Sequence, residues 1–223
     1  MRIALVNDWF RVNAGSEKVV HELLHVFAND KVEVFTLFNK LLPVDRKAVL
    51  GTTLVHTSWL QYIPRIERLY QYLLPLLPFV IRRVNPQPFD IIFSSSHAVA
   101  KGYRKSKALH ICYCHTPMRY AWHMEADYAK ERSRLQRFVM KGVMPFMRRW
   151  DYRMAQEIPH FIANSEFIRQ QIKTCYKKDA KVIYPPVQTD RFILNPNPRQ
   201  NYYLALGRFA SYKKMHLVIQ AFQ

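Results

Sequence analysis

Cysteine is scarce in this sequence. Cys112, Cys114 and Cys175 are the three present among 223 residues. An odd, sparse set argues against a disulfide framework and fits reduced thiols in a cytoplasmic protein. There are five glycines, no low-complexity tract and no repeat of fixed period, which excludes repeat architectures. No apolar run reaches the ~20 residues that a membrane-spanning helix needs. The longest nearly apolar stretch, Leu73–Ile81, is interrupted by Pro75 and Pro78, and the run after Met1 is too short for a signal peptide. Acidic residues are few: 16 Asp and Glu against 34 Lys and Arg leave a net charge of +18. That balance calls for a polyanionic partner, whether nucleic acid, an anionic membrane face or a phosphorylated substrate. Neither a zinc-finger spacing nor an RNA-recognition signature is present, and no aromatic stacking platform is evident, so nucleic acid is not expected.

What is present is a rhythm. Hydrophobic residues make up 49% of the chain, enough for a sizeable core. Ile3–Val6 is a continuous apolar run ending in Asn7-Asp8, the mark of a buried parallel strand. A turn at 13–16 leads into a helix with Ser16 as the expected N-cap and Val19, Val20, Leu23, Leu24, Val26 and Phe27 on one arc. Further strands are predicted at 32–37, 54–56, 90–94, 109–114, 160–164 and 181–184, and helices at 65–83, with breaks at its prolines, 130–156 and 166–176. Pro145 should kink the longest of these helices. Strands alternating with helices in this way imply an α/β, doubly wound, mostly parallel Rossmann-like sheet. Pro185, Pro186, Pro196 and Pro198 then mark a linker. A new strand is predicted at 202–206, a loop at 207–214 and a helix from Met215. The expected organisation is a domain over 1–184, a linker over 185–200 and the start of a second domain over 201–223. One strand and one helix cannot bury a core, so that second domain is expected to be truncated here.

In sheets of this type ligands bind beyond the carboxyl ends of the strands. That rule selects the loops 8–16, 94–101, 115–122 and 164–165. The candidate substrate residues there are Gly15, Ser16, Ser95, Ser96, His97, Lys101, His115, Thr116, Asn164 and Ser165. Gly15 would let a substrate approach the backbone closely. The serines of 94–96 could bond a sugar or phosphate, or cap a helix. Arg208 and Lys213 lie in a strand-to-helix loop suited to a phosphate. His21-Glu22-Leu23-Leu24-His25 matches the H-E-x-x-H zinc pattern, but the helical wheel puts His21, Glu22 and His25 on the polar arc with Glu17 and Lys18, and no third ligand has a characteristic spacing. No metal is expected there. Cys112 and Cys114 fall on one strand face and are expected to be buried as small apolar groups.

Four segments, taken in order, resemble the family 4 glycosyltransferases of the GT-B fold. They are 113–120 (Tyr-Cys-His-Thr-Pro-Met-Arg-Tyr), 161–167 (Phe-Ile-Ala-Asn-Ser-Glu-Phe), 182–192 (Val-Ile-Tyr-Pro-Pro-Val, then Asp-Arg-Phe) and 203–222 (Tyr-Leu-Ala-Leu-Gly-Arg, Tyr-Lys-Lys, Ala-Phe). The first looks like a loop of bacterial O-antigen mannosyltransferases. The likeness covers essentially the whole chain, with one departure: the family's adjacent glycines are Ala14-Gly15 here.

The resemblance implies a retaining enzyme that moves a sugar from a nucleotide donor, GDP-mannose, to a glycan carried on polyprenyl diphosphate, in lipopolysaccharide synthesis. It implies that Arg208 and Lys213 hold the donor diphosphate, that His115 lies near the transferred sugar, and that no metal or other cofactor is needed. The basic, aromatic and aliphatic stretch 59–83 would then rest on the inner face of the cell membrane, unless it simply packs on the sheet. Two other readings stay open: a non-catalytic remnant, and a protein that binds anionic surfaces or nucleic acid.

Overall fold

The computed structural model describes residues 1–84, 88–103, 107–123, 125, 133–189, 193, 200–207 and 213–222. They form two compact units, Met1–Pro186 and Val187–Gln223.

The first unit is built on seven strands: β1 (Arg2–Asn7), β2 (Lys31–Thr36), β3 (Val55–Thr57), β4 (Ile91–Ser96), β5 (Leu109–Cys114), β6 (His160–Ala163) and β7 (Ala180–Val182). They pair in the order β3-β2-β1-β4-β5-β6-β7, every pair parallel. The sheet is therefore the α/β Rossmann-like one that the alternation predicts. Its strand order reverses between β1 and β4, and ligands of open parallel sheets bind at such a reversal. Helices α1 (Gly15–Val26), α2 (Pro43–Leu50), α3 (Ile66–Leu69), α4 (Leu77–Ile81), α5 (Arg134–Gln156) and α6 (Glu166–Tyr176) connect the strands, with 3-10 turns at Trp59–Tyr62 and Ala100–Gly102.

Strand alternation divides the core between the two faces of the sheet. Ile3 and Leu5 of β1 pack with Val19, Val20, Val49 and Leu50 of α1 and α2. Ala4 and Val6 face the other way, onto Ile66, Leu77, Ile81, Met144 and Met147 of α3, α4 and α5. The same face continues past β5 into a third cluster, where Cys112 and Cys114 meet Phe161, Ile172 and Tyr176. Both thiols are fully buried. Burial pushes the Cys112 thiol up to about 12 and raises Cys114 as well, so they act as small apolar groups. Burying a side chain the size of Leu5 or Ile3 stabilises the fold by about 1.5–3 kcal/mol.

Several details differ from the sequence expectation. The N-cap of α1 is Ala14, not Ser16. Ser16 Oγ donates instead to Glu17 Oε2 (2.8 Å), and that carboxylate accepts the Ala14 N–H (3.2 Å). Glu17 is consequently buried, although the helical wheel sets it on the polar arc, and Val26 is exposed. The breaks expected in 65–83 are present, though the helical parts are shorter than the stretch suggests: α3 and α4 are separated by turns that contain Pro75, while Pro78 sits in the first turn of α4. Helix α2, opened by Pro43 at its first turn, has no counterpart in the expected elements; only its end, Val49 and Leu50, is buried.

In the second unit the predicted strand over 202–206 is not formed. These residues carry no ladder hydrogen bonds and are exposed. A strand exists through its neighbours, and among the described residues of this unit there is none to pair with. The helix expected from Met215 is present as α7 (Met215–Ala221) and has no buried residue. Tyr203 and Phe222 lie with ring centroids 4.7 Å apart.

Candidate active site

The carboxyl ends of β1, β4 and β5 are held in register, Asn7 opposite Ser95 and Ser95 opposite Tyr113. The residues just past these ends therefore converge. Asp8 is fully buried. Its Oδ2 accepts the backbone N–H groups of His97 (2.7 Å) and Ala98 (3.0 Å), and its Oδ1 that of Ala100 (2.6 Å). The His97 ring completes the set, with Nδ1 3.0 Å from Oδ2. One carboxylate thus ties the end of β1 to the whole turn after β4.

His115 stands on the next strand end. Its N–H donates to Ser96 O (2.9 Å), its Nε2 lies 2.8 Å from Ser95 Oγ, and its carbonyl accepts from Asn164 Nδ2 (3.1 Å). The rings of His115 and His97 have centroids 6.4 Å apart, and Tyr113 packs edge-on against His115 at 5.2 Å. Burial, with the neighbouring His97 charge, pulls the His115 pKa down to about 4, against a smaller upward pull from Asp8. At neutral pH His115 is an uncharged imidazole, able to exchange hydrogen bonds with a sugar but not to serve as a cation.

The other predicted residues fall into three groups. Ser95, Ser96, Asn164 and Ser165 gather around His115 in one bonded set, and His97, bonded to Asp8, faces it ring to ring. Ser165 Oγ donates to Asn164 Oδ1 (3.1 Å) while capping α6, where it accepts the Ile168 N–H (3.3 Å). Thr116 is buried, and its hydroxyl turns into its own loop, donating to Pro117 O (2.9 Å). Gly15 and Ser16 sit at the start of α1, outside this bonded set. A Cβ on Gly15 would meet nothing within 4 Å, so no close packing there requires a glycine.

Lys101 has a different place from the one expected of a substrate residue. Its side chain is closed off from solvent. Nζ donates to Ala98 O (2.7 Å) and to Asp151 Oδ1 (2.6 Å). Asp151 Oδ2 accepts from Trp122 Nε1 (2.9 Å) and Tyr176 OH (2.7 Å). Burial works against the ammonium, but Asp151 beside it prevails and the Lys101 pKa lies above its ordinary value. The group fastens the 100–102 turn, the loop 115–122 and α6 to the C-terminal part of α5.

Of the phosphate pair, Arg208 lies outside the described residues, as does Tyr212. Lys213 is exposed one residue before the αL residue Lys214 that precedes α7. His21, Glu22 and His25 do bring their ligand atoms within 4.8 Å of one another on the outer side of α1. A shallow depression lined by Arg169, Lys173 and Asp179 lies along α6 and is no part of the bonded set.

Asp8, Asn7 and Asp151 are absent from the sequence-level candidates. Asp151 leaves a trace, since it falls in the buried stripe of α5 with Met147 and Met154 at helical spacing. Asp8 reads from sequence only as the polar stop of a strand. Asn7 is fully buried, and its Oδ1 has no hydrogen-bond partner among the described residues. A buried orphan acceptor beside Ser95 is a place where a ligand or water can donate.

The chain was compared with known proteins. No curated protein matches it significantly. The sequence model of Glycosyltransferase Family 4 matches residues 13–191, from the turn before α1 through β7 and into the following segment. With most of its length matched, and with a parallel Rossmann-like sheet whose polar residues converge at the carboxyl edge, the chain belongs to glycosyltransferase family 4.

Proposed function

We propose that these residues form the acceptor side of a retaining mannosyltransferase that uses GDP-mannose and extends a glycan on polyprenyl diphosphate, in surface polysaccharide synthesis. The observation that carries this reading is His115. It is a neutral imidazole held at the carboxyl edge by Ser95 and Asn164, in the family's loop sequence. A neutral ring there can steady hydroxyls of the transferred sugar without repelling the positive charge that builds at its reacting carbon. The leaving group is a nucleoside diphosphate, and Arg208 and Lys213 would offset the negative charge growing on it, the electrostatic contribution that is often largest. With those cations in place, neither a metal nor another cofactor is required.

A lipid-linked acceptor places the enzyme at a membrane, and the surface has a region suited to one. In α4, Leu77, Pro78, Val80 and Ile81 are buried while Phe79 is exposed, as are Arg82 and Arg83 just after it. Exposed Phe79 stacks on exposed Phe146 of α5, with centroids 6.3 Å apart. This joins the aromatic side of 62–79 to Leu135, Phe138 and Val139, with Arg134, Arg137 and Lys141 beside them. Basic residues near an anionic bilayer contribute about 1 kcal/mol each, and apolar side chains can enter the interface. Among the described residues no helix is long and apolar enough to cross a membrane. Association with the inner face of the cell membrane is therefore proposed to be peripheral.

The second reading, a non-catalytic remnant, draws on the second unit, where no described residue is buried. Both readings are tested together. A full-length enzyme carrying these residues, incubated with GDP-mannose and a polyprenyl-diphosphate glycan, should give a product with the donor's anomeric configuration by NMR. The 223 residues alone should give none, because the described residues of the second unit, none of them buried, offer no enclosed site for base and ribose. Inverted product, or a preference for another donor, would overturn the mannosyl reading. Turnover by the 223 residues near that of the full-length enzyme would show the donor site to be misplaced.

A further inference from the structure

We infer that Lys101 and Asp151 are positioning residues of the acceptor side: one buried carboxylate sets the turn after β4 and the loop after β5 at a fixed spacing, so that His97 and His115 stand ring to ring. The inference rests on the acceptor-side reading above. It adds residues that touch no substrate and act through the two loops.

The two loops form a closed frame. They meet at their starts, where the His115 N–H donates to Ser96 O (2.9 Å). They meet again at their far ends, through Asp151. Lys101 closes the turn after β4. Its backbone N–H donates to Ser96 Oγ (3.3 Å), and its Nζ to Ala98 O (2.7 Å) and Asp151 Oδ1 (2.6 Å). Trp122 closes the loop after β5, with Nε1 donating to Asp151 Oδ2 (2.9 Å). Arg148, one turn earlier on α5, grips the same loop end by donating to Ala121 O (2.7 Å). His97 and His115 both belong to this frame, with ring centroids 6.4 Å apart.

Stability does not explain why the junction is ionic. Buried ion pairs replaced by apolar residues of similar volume are often as stable or more so. What the charges supply is direction. One carboxylate accepts the ammonium at one oxygen and the indole N–H at the other, and hydrogen bonds hold both donors to narrow distances and angles. Apolar side chains in contact can slide. The turn also lies as close to α5 as the chain allows, since a Cβ on Gly102 would collide with the ring of Trp150, the neighbour of Asp151.

The structure contains its own control. Tyr176 OH donates to the same oxygen as Trp122, Asp151 Oδ2, at 2.7 Å. Tyr176 is the last residue of α6 and belongs to neither loop of the frame. Removing its hydroxyl deletes one bond to the carboxylate and leaves both loop ends tied.

The test compares Tyr176→Phe with Trp122→Phe and with the double variant Lys101→Met, Asp151→Leu. In the 223-residue chain, carbon-13 and nitrogen-15 NMR of the histidine rings reads the site directly. Tyr176→Phe should lower the melting temperature and leave the His97 and His115 signals in place. Trp122→Phe and the double variant should displace or broaden both signals, whatever their melting temperatures. In a full-length enzyme carrying these residues, those two should lower kcat by up to about 10²-fold, the loss that a misplacement of about 1 Å can cause. KM for the nucleotide donor should not change, and Tyr176→Phe should keep its kcat. Histidine signals unmoved in both Trp122→Phe and the double variant would overturn the inference. So would a kcat loss in Tyr176→Phe as large as that in Trp122→Phe, which would make Asp151 a general brace of the fold. If the double variant does not fold, the two phenylalanine variants decide between them. Absence of any sugar transfer by the unaltered full-length enzyme would sink the acceptor-side reading and leave the NMR comparison to judge the frame by itself.

Discussion

Lys101 Nζ and Asp151 Oδ1 meet at 2.6 Å across 50 residues of sequence, and neither side chain reaches solvent. Asp151 is the hub, because Trp122 and Tyr176 bond the same carboxylate. Removing one partner of a buried pair leaves the other charge uncompensated, at a cost of about 3–5 kcal/mol. Asp151→Ala should destabilise the first unit by that amount in urea denaturation. The double variant Lys101→Met, Asp151→Leu should be distinctly less damaging than the sum of its parts. Additive losses would show that the two charges do not depend on each other.

Gly102 makes a second, sharper demand. A Cβ at this position would lie 2.5 Å from Trp150 Cη2, with Met154 Cγ at 3.5 Å. The indole is a rigid ring on α5, and such overpacking costs about 1–3 kcal/mol. Gly102→Ala should lower the unfolding midpoint, and Trp150→Leu should restore much of the loss. The same alanine at Gly15, where nothing lies within 4 Å, should leave the midpoint unmoved.

Acid should weaken the fold through two histidines. Burial pulls both His110 and His115 down to about 4. A base whose pKa is lowered in the folded state binds its proton more readily when unfolded. Stability is then constant above about pH 6.5 and falls as pH drops toward 4, where the folded protein also becomes protonated. Calorimetry between pH 7 and 4 should show the decline. His110→Gln, which keeps a polar group near Ser94 Oγ, should flatten part of it. No change of slope in that variant would mean that His110 is not held neutral.

The phosphate role of Arg208 and Lys213 has a direct check. In a full-length enzyme carrying these residues, Arg208→Ala and Lys213→Ala should each weaken binding of the nucleoside diphosphate and slow transfer. The loss should be larger for the arginine, which can engage a phosphate through two parallel bonds. Unchanged donor affinity and rate in both variants would remove these two cations from the site.

His21, Glu22 and His25 come within 4.8 Å of one another, yet they lie on a helix face where His25 is exposed and water competes for any ion. Purified protein is expected to hold no stoichiometric zinc, and chelator should leave its melting unchanged. Bound zinc that disappears in His21→Ala would reverse that expectation.

The sheet was readable from the sequence because its strands are continuous apolar runs ended by polar residues, and a parallel sheet buried on both faces needs nothing else. Thus the strands expected at 3–6, 109–114 and 160–164 stand almost residue for residue where the pattern puts them. The pattern fails where structure depends on partners distant in sequence. Nothing local says that Glu17 folds back onto the Ala14 N–H and becomes buried. The stretch 202–206 has a strand's composition but no neighbour to make it one. The site shows the same division. The loops beyond the strand ends follow from topology, so His97, His115, Asn164 and the serines could be named. That Lys101 turns inward, and that Asp8 organises the turn after β4, depends on contacts spanning 50 and about 90 residues, which no periodicity records.

The placement of β1 also sets a timetable for assembly. Its neighbours are β2 on one side and β4 on the other, so the central strand stays half paired until residues 91–96 exist. The donors that satisfy Asp8 arrive only with residues 97–100. On the ribosome, where the chain emerges at about 5–20 residues per second, an apolar strand tipped with an uncompensated carboxylate must wait several seconds for its partner. Long closures of this kind also slow refolding from denaturant. A nascent chain stalled before residue 91 should accordingly be a preferred client of chaperones, and one released after residue 114, with β5 in place, much less so.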